Sequence, residues 1–316
     1  MLRSLACVAC AMTLIFGCES SDDDPEAPAD TDAGAPRAPA PDTGPSASPA
    51  PPEERPPPSP APEPPPRAVT SESIDVAGKP RAFVLVTPGT YSPVRRYPLV
   101  LVLHGDGLDG AAMRAAFPFD DVSGEEAVVA YPSGAGLGWD LYGPAETNED
   151  LAFLIALVAS LEARFAIDPA RVFATGFSSG AFMLNQVGCR RPSLFRAIAP
   201  HSGGAPQEPD DPTATRWDNN FTRCADQTLG GGPAVLVIHG TADTVVTYDS
   251  GEFAASYWAY VDGCQPTRSL HDATPECAHH DGCPAGKPVV LCSVPNLEHA
   301  LWSEAGETAW TFFRAL

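Results

Sequence analysis

Residues Gly176-Phe177-Ser178-Ser179-Gly180 restrict the fold more than any other stretch of this chain. They follow the run Arg171-Val-Phe-Ala-Thr, which reads as a strand, and precede Ala181-Phe-Met-Leu-Asn-Gln-Val-Gly, which opens as a helix. A serine flanked in this way predicts a sharp strand-to-helix turn with a strained backbone, where a side chain at either glycine would collide with neighbouring backbone. Such a turn lifts the hydroxyl clear of the sheet. It also sets it beside the free N–H groups of a helix N-terminus, which can stabilise a developing oxyanion. The five-residue pattern alone is common; the strand before it and the helix after it make it informative.

The remainder of the folded part alternates in the same way. Residues 71–88 read as two antiparallel strands joined at Gly78-Lys79-Pro80, and Leu99 to Leu103 is continuously apolar, as a strand covered on both faces would be. Residues 127–134 form another strand. Leu151, Leu154, Ile155 and Val158 then make a helical stripe in a segment that ends at Asp168-Pro169. Strands follow at 171–176, 195–203, 233–239 and 287–294, and residues 307–316 make a closing helix. Strand and helix alternation of this kind predicts an α/β fold with a mostly parallel central sheet and helices on both faces. Sites in such folds form at the carboxyl ends of the strands.

A serine hydroxyl is a weak nucleophile unless a base takes its proton, and the base must itself be oriented by a third group. In the α/β-hydrolase order the acid and then the histidine follow the serine. Asp243, after the strand ending His239-Gly240, and His299, after the strand ending at Val294, occupy those places. Asp249 is the spare acid. His239 reads as a structural residue bonded to backbone, and His201 comes too early for the order. His104-Gly105-Asp106-Gly107 follows the first buried strand, so the N–H groups of Asp106 and Ser179 are the expected oxyanion donors. His104, Trp139 and Trp302 are expected to contact substrate. Trp139 would line the cleft and stack on a ring or a sugar, with a packing role as the alternative.

These segments together resemble a family of secreted esterases that includes polyhydroxybutyrate depolymerases, feruloyl esterases and acetylxylan esterases. The resemblance rests on His104-Gly105, on Tyr131-Pro-Ser-Gly with Trp139-Asp140, and on Asn148-Glu149-Asp150. It continues through Asp168-Pro-Ala-Arg171-Val, the Ser178 turn, Cys189 with Phe195 to Gly203, His239 to Asp243, and Trp258 with Gly263-Cys264. It covers residues 73–316. It implies an α/β-hydrolase fold, ester hydrolysis through Ser178, Asp243 and His299, no metal, and a Cys189–Cys224 bridge. The chain departs from the family in one place. Where Gly-His-x-Trp-Pro-Gly is usual, it has Glu298-His299-Ala300-Leu301-Trp302-Ser303, which keeps the histidine and tryptophan and loses the glycine and proline.

The amino end reads differently. Residues 1–17 have a charged start and a short apolar run, the pattern of a secretory signal peptide, and end at Gly17-Cys18, where Cys18 is expected to carry lipid. Residues 18–68 are rich in Pro, Ala and acidic residues and predict a disordered, lipid-anchored linker. Residues 69–316 are long enough for one well-cored catalytic domain. The 316-residue chain has a net charge of −21, which argues against nucleic acid. Of its nine cysteines, Cys7 and Cys10 lie in the leader and Cys18 at its end. The rest, Cys189, Cys224, Cys264, Cys277, Cys283 and Cys292, predict disulfides in an exported domain, with Cys264 paired to Cys283 or to Cys292. The rival is a metal site around Cys277, His279, His280, Asp281 and Cys283, although no C-x-x-C pair occurs among the six.

The chain is therefore expected to be a monomeric serine esterase without cofactor, carried to an outer membrane or cell surface, or otherwise secreted. Its partners would be an ester substrate, polymeric or small, and a membrane reached only through the N-terminal lipid. The substrates expected are acyl or feruloyl esters on polysaccharide, or short hydroxyalkanoate esters. Two other classes stand beside this one. A peptidase of the same fold would use the same three residues, and a non-catalytic surface-binding lipoprotein would keep the fold without needing them.

Overall fold

A computed structural model describes residues 65–206, 231–271 and 274–316. The leader, Cys18, nearly all of the linker and Cys224 lie outside the described residues. Ten strands of the described residues form one sheet. In chain order the elements are β1 (Ala68–Val76), β2 (Lys79–Thr87), β3 (Tyr97–Leu103), α1 (Gly110–Ala116), α2 (Phe119–Ser123), β4 (Val128–Pro132), α3 (Glu149–Arg164) and β5 (Ile167–Phe177). They continue with α4 (Ser179–Arg190), β6 (Ala197–His201), β7 (Ala234–Gly240), α5 (Tyr248–Asp262), β8 (Arg268–His271), β9 (Thr274–His280), β10 (Val289–Val294) and α6 (Ala305–Arg314). The spatial order is β1-β2-β4-β3-β5-β6-β7-β10-β9-β8. The run from β4 to β10 is parallel throughout, and the strands outside it on each side pair antiparallel.

Period-two alternation explains how one sheet serves two cores. On β3, Leu99, Leu101 and Leu103 point into a layer shared with Leu154 of α3, Met183 of α4 and Trp258 of α5. Val100 and Val102 point the other way, into a layer shared with Met113 of α1, Phe119 of α2 and Trp310 and Phe313 of α6. Both faces are dry, which is why the strand reads as a continuous apolar run. A polar bridge ties two helices of the first layer: buried Asn185 accepts from the Trp258 indole N–H and donates to the Gly204 carbonyl, at 2.8 and 2.7 Å.

The sequence-derived strands agree with these elements, with three differences. The first hairpin turns at Ala77 and Gly78, both with positive φ (52° and 81°), a two-residue turn that matches strand twist, while Lys79 and Pro80 already pair with β1. Helix α3 stops at Arg164 and Asp168-Pro169 falls within β5. There the register jumps from Tyr97↔Ile167 to Leu99↔Val172, so residues 168–171 loop out where the proline has no N–H to give. The cysteine-rich stretch, to which the sequence reading assigns no element, forms the antiparallel strands β8 and β9, which extend the sheet.

Two disulfides hold that extension. Cys277 and Cys292 are directly opposed on β9 and β10, and Cys264, just past the left-handed cap Gly263 of α5, is bonded to Cys283. Of the two partners open to Cys264, the structure takes Cys283. Cys277 and Cys283, the soft ligands of the metal reading, are thus consumed by different disulfides. Cys189 is also disulfide-bonded; its expected partner Cys224 falls outside the described residues.

Candidate active site

Ser178 sits between β5 and α4 with φ 54° and ψ −120°, a conformation that costs a residue with a β-carbon about 1–3 kcal/mol. Close packing on β3 imposes it. A β-carbon at Gly180 would stand 2.5 Å from the His104 carbonyl oxygen, and one at Gly176 would stand 3.0 Å from both Gly180 and Leu103. The Ser178 N–H donates to the His201 carbonyl at 3.0 Å, which fixes the turn to the end of β6.

The loops leaving β7 and β10 bring Asp243 and His299 to this serine. His299 Nε2 is 2.9 Å from Ser178 Oγ, and His299 Nδ1 is 2.7 Å from Asp243 Oδ2. The other carboxylate oxygen, Oδ1, accepts the N–H groups of Val245 and Val246, each at 2.9 Å. Burial alone would raise the Asp243 pKa, but the His299 hydrogen bond and the two backbone donors outweigh it and hold the carboxyl below its ordinary value. An ionised Asp243 can only accept, so His299 Nδ1 carries the proton and Nε2 presents its lone pair to the serine hydroxyl. The His299 side chain keeps 16 % exposure, an open edge toward solvent. Asp249, the spare acid, is exposed in the first turn of α5.

Two further histidines stand behind this group. His239 donates from Nε2 to the Val246 carbonyl at 2.8 Å, bracing the turn whose N–H groups bind Asp243, in line with its expected structural role. His201 accepts the Trp302 N–H at Nε2, 3.1 Å, tying the His299 loop to β6. Burial lowers the pKa of both, that of His201 to about 3. Both are therefore neutral rings at neutral pH.

On the other side of the serine lies the His104 loop. Gly105 packs on the turn, its missing β-carbon 3.4 Å from Ser178 Cβ. Ser179 is the first residue of α4, so its N–H has no acceptor within the helix ladder. The expectation that His104, Trp139 and Trp302 touch substrate gives way to supporting roles, because their exposures are only 0, 8 and 9 %. His104 is bonded at both ring nitrogens, to the Gly105 carbonyl and the Gly134 N–H at 2.8 and 2.9 Å. Burial lowers its pKa. Trp139 packs against His104, with ring centroids 4.8 Å apart and planes tilted by 34°, and donates its indole N–H to the His104 carbonyl at 2.8 Å. Trp302 belongs to the second core layer.

Among the described residues no group of three or more metal-ligating side chains converges. An apolar cavity of about 520 Å³ between β9, β10 and α6 is lined by Leu236, Val290, Phe312 and Leu316, and not by Ser178, Asp243, His299 or His104.

No protein-family model matches the chain. Feruloyl esterase C of Emericella nidulans is 28 % identical over 263 residues, covering 74 % of this chain and 84 % of that protein. Probable feruloyl esterase C of Aspergillus flavus is 30 % identical over 193 residues, 58 % of this chain and 63 % of that protein, so the match spans somewhat less than two thirds of its length. Acetyl xylan esterase from Aspergillus awamori superposes with a TM-score of 0.59 at 19 % identity, over 74 % of this chain and 94 % of that one, a likeness of fold. The fold is of the α/β-hydrolase type, and the relatives support a carboxylic ester hydrolase similar to the feruloyl esterases.

Proposed function

We propose that residues 69–316 hydrolyse feruloyl-type or acetyl esters carried on polysaccharide, with Ser178 as nucleophile, His299 as base and then acid, and Asp243 as its orienting carboxylate. The observation that carries this reading is the unbroken hydrogen-bond chain from Ser178 through His299 to Asp243, at 2.9 and 2.7 Å. His299 Nε2 takes the hydroxyl proton as Oγ bonds to the ester carbonyl carbon, and the carbonyl electron pair moves onto oxygen. That oxyanion rests on the N–H groups of Asp106 and Ser179. The C–O bond to the alcohol then breaks and the alcohol leaves with the proton from Nε2. Water, deprotonated by the same nitrogen, frees the acid and restores the serine.

The names of the relatives support the substrate class, and the open edge of His299 gives a bulky alcohol a way out. The test is a fluorophosphonate label located by peptide mapping, followed by rates on methyl ferulate, acetylated xylan, hydroxybutyrate oligomers and peptide amides. Label on Ser178 with hydrolysis of the first two is the expected result. Turnover of the oligomers or amides alone would replace the substrate class, and label elsewhere would remove Ser178 from its role.

The disulfides fit an oxidising compartment. Signal-led export, with a lipid on Cys18 and residues 18–68 as the tether, completes the proposal. Fatty-acid analogue incorporated by the native chain and lost in Cys18→Ser is expected; unlabelled native protein found wholly in the medium would leave simple secretion.

A further inference from the structure

Arg81 and Asp150 form an ion pair outside the Ser178–His299–Asp243 chain, with side-chain exposures of 8 and 2 %. A charge pair is an expensive thing to bury unless its hydrogen bonds are satisfied and put to use. These are. Besides Arg81, Asp150 Oδ1 accepts the Ala135 N–H at 3.2 Å and Oδ2 accepts the Asp140 N–H at 2.7 Å. Arg81 donates to the carbonyls of Glu149 and Ser133 at 3.0 and 3.3 Å, its guanidinium lying over Phe153 at 4.3 Å. Asn148 Nδ2 closes the ring by donating to the Asp140 carbonyl at 2.6 Å. Segment 133–140 is thus held by its backbone at Ser133, Ala135 and Asp140.

The same segment holds the oxyanion loop. The Gly134 N–H reaches His104 Nε2 and the Trp139 indole N–H reaches the His104 carbonyl. The Gly107 N–H donates to the Leu137 carbonyl at 2.8 Å, and the Gly110 N–H to Ser133 Oγ at 3.0 Å. These contacts fall on both sides of Asp106, whose N–H is the oxyanion donor in the reading above. We infer that Arg81 and Asp150 are positioning residues: through segment 133–140 they set the Asp106 N–H where the oxyanion forms.

The inference rests on the hydrolase reading, and the experiment separates the two. An aryl trifluoromethyl ketone adds the Ser178 oxygen, passes the serine proton to His299 and becomes a hemiketal with a charged oxygen; the matching methyl ketone binds without adding. In Asp150→Asn, kcat falls about 10-fold with KM nearly unchanged, and the inhibition constant of the trifluoromethyl ketone rises by the same factor. That of the methyl ketone stays put. Arg81→Lys, which keeps the charge and loses the fork, and Trp139→Phe, which loses the indole N–H and shrinks the ring, follow with smaller rises of about 3-fold.

An inhibition constant does not depend on how much enzyme is folded. Loss of rate matched by loss of fluorophosphonate-titratable sites, with both constants unchanged, would make the pair merely structural and overturn the inference. Should Asp150→Asn fail to fold, unchanged constants in Arg81→Lys and Trp139→Phe overturn it equally. A wild-type enzyme that takes no label at Ser178 would fell the hydrolase reading, and this inference with it.

Discussion

The two walls that meet at Ser178 are built from different materials. The acid–base wall leans on uncharged rings, His239 behind Asp243 and His201 behind the His299 loop, both kept neutral by burial. The oxyanion wall leans on the Arg81–Asp150 charge pair, one segment removed from the reaction. The difference follows from what each wall must do. In the proposed reaction one contains an imidazole that becomes positive in every turnover, and a second positive ring beside it would oppose that step. The other must keep backbone N–H groups still while a negative charge appears, and a buried ion pair bonded to the backbone of segment 133–140 can hold them in place.

The largest expected effects test whether the first wall is the one that moves protons. Ser178→Ala and His299→Ala should each lower kcat by about 10⁴ or more, and Asp243→Asn by up to about 10⁴, measured as initial rates on an aryl ester. If His201→Ala or Asp249→Asn proved as damaging as His299→Ala, the division of labour would be misassigned. Next comes the seam between the walls. Gly180→Ala drives a methyl into the His104 carbonyl, so α4 and the oxyanion loop must part. A loss of about 10²–10³ in kcat is expected, the size of one lost oxyanion donor, with secondary structure by circular dichroism retained.

Smaller again is His201→Ala, which leaves the Trp302 N–H without its acceptor inside the protein. A fall of about 10-fold in kcat is expected, and no change at all would free the His299 loop from that support.

The gentlest test is stability against pH. His104, His201, His239 and His280 all have folded pKa values lowered by burial, so between their ordinary value of about 6.5 and the lower folded values the unfolded chain binds more protons. Stability should therefore be full above pH 6.5 and fall on acidification. Asp262 acts in the opposite sense. Burial raises its pKa to about 7, against the opposing pull of Lys287 and the Gly232 N–H, so it stabilises the fold in acid and costs stability as pH rises through 7. Asp262→Asn should leave the rate unchanged and raise the thermal midpoint at pH 8 relative to that at pH 5 by a few degrees. The reverse shift would mean the carboxyl is ionised in the folded state.

The sequence makes one wall far easier to read than the other. Ser178, Asp243 and His299 each follow a recognisable strand and come in a set order, and chain order is something a sequence displays. The oxyanion wall is assembled from Arg81 on β2, segment 133–140 and the first turn of α3, with no spacing that connects them. Asp150 in isolation looks like any acidic residue at a helix N-terminus, which it also is. Its carboxylate gives no sign in the sequence that it turns away to bind a loop. His104, Trp139 and Trp302 misled for a related reason: a polar or aromatic residue beside a site reads as a contact, and only burial shows that it faces inward. The cysteine-rich stretch gives no strand signal because β8 is only four residues long and β9, Thr-Pro-Glu-Cys-Ala-His-His, has no readable apolar alternation.

The stapled corner of the sheet has a consequence for the order in which the chain acquires structure. Its two bridges span 19 and 15 residues of sequence, all between Cys264 and Cys292, whereas the parallel core must bring together pairs as distant as Leu99 and Val172. Closing a short loop is entropically easier and faster than docking remote strands. A chain entering an oxidising compartment unfolded can therefore acquire both cross-links locally, before β7 has found its neighbours. With the bridges formed first, β10 would reach the core already fastened to β9, with the His299 loop at its end, and the last strand of the parallel run would dock as part of a prefolded corner.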